Sequence, residues 1–173
     1  MKFQTLVAQR YSCRDMDGSR AVEQEKIEQI LRAAQVAPSA CNLQRYHIKV
    51  IQTKGALEKL RPLTPCHFNA PLVFVLSIIA DGGEKIQDEQ AAYRFALIDA
   101  GIVVAQMALQ AQELGLGTTI VGMFDAELLK ERFAISEEQT PVLLLPTGYP
   151  GEKGGPCILH KPRKKVAETV EWL

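Results

Sequence analysis

The sequence predicts one domain of mixed α and β structure, and three observations carry that prediction. Gln87 to Leu114 reads as one long helix, and its second half, Ile102 to Leu109, is apolar nearly all the way round. Leu72 to Ile79 is an almost unbroken apolar and β-branched run of strand length, the pattern of a central strand covered on both faces. The chain has 173 residues, 47% hydrophobic and 23% charged, which suits one globular domain with a sizeable core.

The remaining elements follow from local pattern. Phe3, Leu6 and Val7 share helical spacing, so a short helix opens the chain and ends near Arg10–Arg14. Asp15 to Arg20 reads as a loop around Asp17-Gly18. Glu23 to Val36 places Ile27, Ile30, Leu31 and Ala34 on one helical face. Pro38 stops that helix, because proline lacks an N–H and disfavours α geometry in its predecessor. Tyr46 to Ile51 alternates like a strand, and Lys54 to Leu60 reads as a short helix with Leu57 and Leu60 inward. Gly115 is a natural C-cap for the long helix. Thr118 to Val121 is a short strand leading into Gly122, and Asp125 caps a helix over Ala126–Phe133. Val142 to Leu145 is a further buried strand, closed by Gly148-Tyr149-Pro150-Gly151. Glu152 to Pro162 is loop-like, and a short helix is expected over Val166–Leu173.

Formal net charge is zero, so no global field favours nucleic acid or an anionic membrane. The apolar run Ala70–Ala80 is too short to span a bilayer as a helix. Cys13, Cys41, Cys66 and Cys157 are scattered, which argues against a zinc site. With no apolar segment near Met1, the expectation is a reduced, cytoplasmic protein.

Three stretches carry candidate chemistry. Ala37-Pro38-Ser39-Ala40-Cys41-Asn42-Leu43-Gln44 joins small residues to uncharged hydrogen-bonding groups, the mixture of either a polar turn or a ligand contact. Arg10-x-Ser12-x-Arg14 converges two guanidinium groups in helical or extended geometry, and Ser12 joins them if the chain is extended. Such a set suits a phosphate, or else a solvated pair bridged to Asp15 or Asp17. Lys161-Pro162-Arg163-Lys164-Lys165 is a second basic cluster, which could serve the same phosphate or stay solvated. Leu114-Gly115-Leu116-Gly117 lacks the G-x-G-x-x-G spacing and follows a helix, which excludes a dinucleotide-binding turn. His47, His67 and His160 are isolated, there is no G-x-S-x-G, and no carboxylate pair stands out. Cys13 and Cys41 read first as small buried hydrophobes. Anion-binding groups without a protein catalyst fit a chain that lends its site to an organic cofactor.

Taken together, Arg10-Tyr11-Ser12-Cys13-Arg14, Ala37 to Gln44, Asn69-Ala70-Pro71, Asp99-Ala100-Gly101, Leu114 to Gly122 and Gly148-Tyr149-Pro150 resemble the FMN-dependent nitroreductase family, in order and over nearly the whole chain. The resemblance implies an α+β fold, a mixed sheet flanked by helices, in an intertwined homodimer with FMN at the interface. It implies that Arg10 and Ser12 take the phosphate, with Lys161 and Arg163, and that Arg14 lies nearer the ribityl chain or pyrimidine edge. Pro38, Ser39, Asn42 and Gln44 would reach the flavin from the other subunit, and backbone at Val121 and Gly122 would face the ring. The implied activity passes a hydride from NADH or NADPH through the flavin to a small acceptor such as a nitroaromatic or quinone, with no catalytic side chain. Relatives that dehalogenate or break down flavin, and a flavin-binding protein without turnover, are the alternatives. Arg45-Tyr46 departs from the proline and aromatic residue that many members carry there, and His67 and Asn69 lie where some members touch the flavin.

Overall fold

The computed structural model describes residues 2–173. Its helices are α1 (Phe3–Gln9), α2 (Gln24–Gln35), α3 (Lys54–Leu60), α4 (Glu89–Glu113) and α5 (Ala126–Arg132). Its strands are β1 (Tyr46–Ile51), β2 (Leu72–Ile79), β3 (Gly117–Thr118) and β4 (Gln139–Gly148), in the order β1-β2-β4-β3. All three strand pairings are antiparallel. This corrects the mixed sheet that the resemblance implied: the parallel contact among the described residues is an isolated bridge between Ser12 and Thr118.

The apolar run of β2 is explained by its central place. Leu72, Phe74, Leu76 and Ile78 face a cluster built with Ile27, Ile30 and Ala34 of α2 and Ala96 to Ala111 of α4. Val73 and Val75 face the opposite cluster, with Leu57 and Leu60 of α3 and Leu129 of α5. Cover on both faces demands apolar residues at every position, whatever the direction of the neighbouring strands. Each such side chain contributes about 1.5–3 kcal/mol of transfer free energy.

Helix ends agree with the sequence to within about two residues. The Asp88 carboxylate accepts from the N–H groups of Gln90 and Ala91, and Asp125 accepts from Leu128. Gly115 adopts φ +76° at the end of α4, where Leu116 N–H returns to the Ala111 carbonyl at 2.9 Å. α4 buries Ala92, Ala96, Asp99, Ala100, Val103, Val104, Met107, Ala108 and Ala111. By length and composition it is long and apolar enough to cross a membrane, and 44% of its most apolar window is buried inside the fold.

Two expectations change. The strand expected at Thr118–Val121 breaks after Thr118 and resumes only as a bridge from Val121 to Leu144. The terminal helix is a single 3-10 turn at Val166–Glu168. Val166, Val170 and Trp172 are exposed, and so short a segment has no packing to hold a longer helix.

A polar latch closes the end of the sheet nearest the candidate site. Tyr149, just past β4, accepts from the Lys26 ammonium at 2.7 Å and donates to the Glu23 carboxylate. Lys26 also donates to the Leu114 carbonyl at the end of α4, and the Arg20 guanidinium lies 3.3 Å above the Tyr149 ring. One residue of the closing turn thus ties α2, α4 and β4 together.

Candidate functional site

The Arg10–Arg14 segment leaves α1 in extended geometry, with Arg10 at φ −60°, ψ 128°. Cys13 N–H donates to the Thr118 carbonyl at 2.9 Å, and the Thr119 hydroxyl donates back to the Cys13 carbonyl. The segment is therefore laid along β3. Gly117 permits this closeness, since a Cβ there would sit 2.6 Å from the Cys13 sulfur. Alternation along an extended chain sends Cys13 into the core and turns Arg10, Ser12 and Arg14 the other way.

Those three residues line one cavity of about 140 Å³ together with Tyr11, Cys157, Leu159, His160 and Arg163. Groups from both ends of the chain thus meet in one basic cleft. Among the described residues neither Arg10 nor Arg14 is bridged to Asp15 or Asp17. Asp15 instead accepts from Lys153 N–H, and Asp17 from Ser19. The Arg14 guanidinium donates to the Cys157 sulfur at 3.2 Å. Hydrogen bonding from the Leu159 N–H, then from Arg14, holds the Cys157 thiol below its ordinary pKa. Cys13 is fully buried and burial raises its pKa, so it is a neutral core residue; Cys41, by contrast, is exposed. Lys161 lies next to this cleft in sequence but does not line it.

Val121 and Gly122 follow Thr118 by three and four residues, at the end of the same seam. Val121 exchanges backbone hydrogen bonds with Leu144, at 2.9 and 2.8 Å. Gly122 is exposed, and a Cβ there would meet nothing within 4 Å. Among the described residues the N–H groups of Gly122, Met123 and Phe124 have no acceptor.

Pro38, Ser39, Asn42 and Gln44 form a separate unit that lines no part of the basic cleft. Pro38 ends α2 as expected. Cys41, Asn42 and Gln44 have φ of 51°, 54° and 50°. Non-glycine residues hold that geometry only where surrounding contacts enforce it. Gln44 N–H donates to the Ser39 hydroxyl at 3.0 Å, and the Gln44 amide reaches the Asn42 side chain at 3.2 Å. Both carboxylate oxygens of Asp99 accept from Ala40 N–H at 3.1 Å. Asp99 is 4% exposed, and its role as the clamp of this turn was missed in the sequence reading. The available signal was a carboxylate within the otherwise apolar interior of α4.

His67 and Asn69 belong to another corner. Asn69 N–H donates to His67 Nδ1 at 3.1 Å, and its amide donates to the Met16 carbonyl at 3.2 Å. Burial, then the Arg61 guanidinium, lowers the pKa of His67 and keeps the acceptor nitrogen unprotonated. Asn69 lines a cavity with Asp15 and Asp17 rather than the basic cleft.

The Asp99 clamp yields a direct expectation. Asp99→Ala leaves the half-buried Ala40 N–H without its acceptor and should cost about 1–3 kcal/mol. Amide exchange at Ala40–Gln44 should rise more in this variant than exchange in β2, as read by hydrogen-exchange NMR.

The sequence profile of the Nitroreductase family matches residues 7–68 and 65–149. YdgI of Bacillus subtilis, which carries the name of an NAD(P)H nitroreductase, is 28% identical, covering 98% of this chain and 97% of its own. A crystal structure of a nitroreductase family protein from Clostridium difficile superposes with a TM-score of 0.85 at 31% identity, covering 99% of this chain and 98% of that one. A protein of Exiguobacterium sibiricum crystallised in complex with FMN has the same fold, with a TM-score of 0.87 at 22% identity, covering 100% and 98% of the two chains. Family match, fold and the order of the motifs agree: this chain belongs to the nitroreductase family.

Proposed function

We propose that the protein is an FMN-dependent oxidoreductase that passes a hydride from NADH or NADPH to a small electron acceptor such as a nitroaromatic or quinone. The observation that carries this reading is the convergence of Arg10, Ser12, Arg14 and Arg163 on one cleft. The chemistry of the donors fits FMN. Guanidinium groups and a hydroxyl suit a phosphate through charge-assisted hydrogen bonds. The side-chain-free Gly122 leaves room for a flat ring, and its N–H has no competing acceptor. The existence of an FMN complex for a protein of the same fold supports the choice.

In this reading Arg10, Ser12 and Arg163 hold the phosphate, with Lys161 close by in the same tail. Arg14 faces the ribityl chain or the pyrimidine edge, where its fixed charge favours negative charge on the ring. Backbone at Val121 and Gly122 lies along the ring. FMN, when bound, supplies the hydride chemistry; the protein binds, orients and shields. Nothing in the cleft requires a catalytic side chain.

Pro38, Ser39, Asn42 and Gln44 would act on the site of a second copy, in a homodimer of two one-domain chains. This is supported by the apolar surface around that turn. Val36 is 76% exposed beside it, and Phe95 and Ile98 of α4 are also exposed. A groove of about 600 Å³ runs between α1, α2 and α4, lined by Phe3, Leu6, Ala33, Val36 and Leu109. Apolar surface this continuous is characteristic of an interface. The cytoplasm, where both nicotinamide nucleotides are available, is the proposed site of action.

Three outcomes are expected. Purified protein should show a flavin absorption spectrum that NADH or NADPH bleaches and a quinone or nitroaromatic restores. Colourless protein that takes up no FMN would overturn the reading, and bound FMN that neither nucleotide reduces would favour a storage role. Arg10→Ala with Arg163→Ala should weaken FMN affinity by at least tenfold in a fluorescence titration, since each charge-assisted bond contributes about 1.5–3 kcal/mol; unchanged affinity removes both residues from the site. Sedimentation at micromolar concentration should give a dimer, and a clean monomer would refute the shared site.

A further inference from the structure

The segment from Val121 to Asp125 has no strand or helix ladder of its own, yet it is held at three points. Val121 is paired with Leu144 at one end. At the other end, Asp125 N–H donates to the Leu63 carbonyl at 2.9 Å. Between them the Met123 carbonyl accepts from the hydroxyl of Thr64 at 2.7 Å. That hydroxyl oxygen also accepts from Cys66 N–H at 3.0 Å, and Thr64 is 3% exposed. Donor and acceptor are both engaged, so the hydroxyl can point in one direction only.

The pinned carbonyls fix where the N–H groups go. In a trans peptide the C=O and the following N–H point in opposite directions. The Val121 carbonyl is turned to Leu144, so Gly122 N–H is turned away from β4. The Met123 carbonyl is turned to Thr64, so Phe124 N–H is turned away from the Leu63–Thr64 segment. These are two of the three successive N–H groups that find no acceptor among the described residues.

We propose that Thr64 is a positioning residue: by holding the Met123 carbonyl it aims the Phe124 N–H, beside the Gly122 N–H that Leu144 sets, at the flavin ring. This rests on the FMN reading above and goes beyond it by naming what aligns the backbone. The N5 nitrogen of oxidised flavin is a hydrogen-bond acceptor, and on reduction it gains a hydrogen and loses that role. Well-aimed donors at this edge therefore favour the oxidised form, and hydrogen bonds weaken steeply as they tilt. Because the donors are pre-aligned by the fold, no reorganisation is needed when the ring arrives.

The test compares the wild type with Thr64→Val, which keeps the shape but not the hydroxyl, and with Thr64→Ser, which keeps the hydroxyl. In the FMN-loaded protein, Thr64→Val should weaken the preference for oxidised over reduced FMN about tenfold, which raises the two-electron midpoint potential by about 30 mV. Thr64→Ser should stay near the wild type. In protein without FMN, amide exchange at Asp125, whose N–H is bonded to the Leu63 carbonyl at the end of the pinned segment, should quicken at least tenfold in Thr64→Val, with β4 unchanged. Should Thr64→Val fail to fold, Thr64→Cys, with its weak S–H donor, should give a shift of the same sign and smaller size. An unchanged potential overturns the proposal, and so does a Thr64→Ser shift as large as that of Thr64→Val. Failure of the FMN reading is distinguishable: wild-type protein that takes up no FMN while its exchange still depends on Thr64 leaves that residue a purely structural pin.

Discussion

The backbone seam between Cys13 and Thr118 is the contact on which the candidate site depends. A two-residue strand, β3, carries on one side its ladder to β4 and on the other the extended segment after α1. Cys13 closes the seam from inside, packed where Gly117 has no side chain. Because that segment is extended, burying Cys13 necessarily turns Ser12 and both arginines outward together. The same seam brings the chain to Val121 and Gly122 within one short connection. The arginines of the cleft and the segment leading to Gly122 thus depend on one hydrogen-bonded junction.

Electrostatics in this protein is local. The chain is neutral overall, yet Arg10, Arg14 and Arg163 share a cleft of about 140 Å³. The nearby carboxylates are occupied elsewhere: Asp15 receives Lys153 N–H, Asp17 receives Ser19, and Glu23 receives Tyr149. Hydrogen bonds from Ser19 and from Tyr149 lower the pKa values of Asp17 and Glu23, so both stay ionised without drawing on the cleft arginines. Cationic charge in the cleft remains available because the acids around it have been given other partners.

The α4 helix serves two surfaces. Its inward face joins the core against β2 and α2, and Asp99 on that face holds the Ser39–Gln44 turn by the Ala40 N–H. Its exposed side presents Phe95 and Ile98. A buried carboxylate is tolerated because it is hydrogen-bonded. A strained turn with three left-handed residues is tolerated because Asp99 and Ser39 bracket it.

Much of this was legible in the residues themselves. Pro38, Gly115 and Asp125 mark element ends through backbone chemistry that needs no tertiary partner, and the structure places the ends there. The apolar run of β2 announced a strand covered on both faces, because burial alone selects its composition. The meeting of Arg10–Arg14 with Arg163 was legible only as compatible chemistry at two distant places. Strand direction was not legible: burial on both faces reads the same in parallel and antiparallel sheets, so the antiparallel order had to come from the fold. Nor were the roles of Asp99 and Thr64, because each acts on a backbone group 59 residues away, and such pairings exist only once the chain has closed. Local pattern determined which segments are helix, strand and turn, since those choices depend on neighbours in sequence. Tertiary structure decided which of those segments meet, since that depends on the single arrangement that buries both faces of β2 at once.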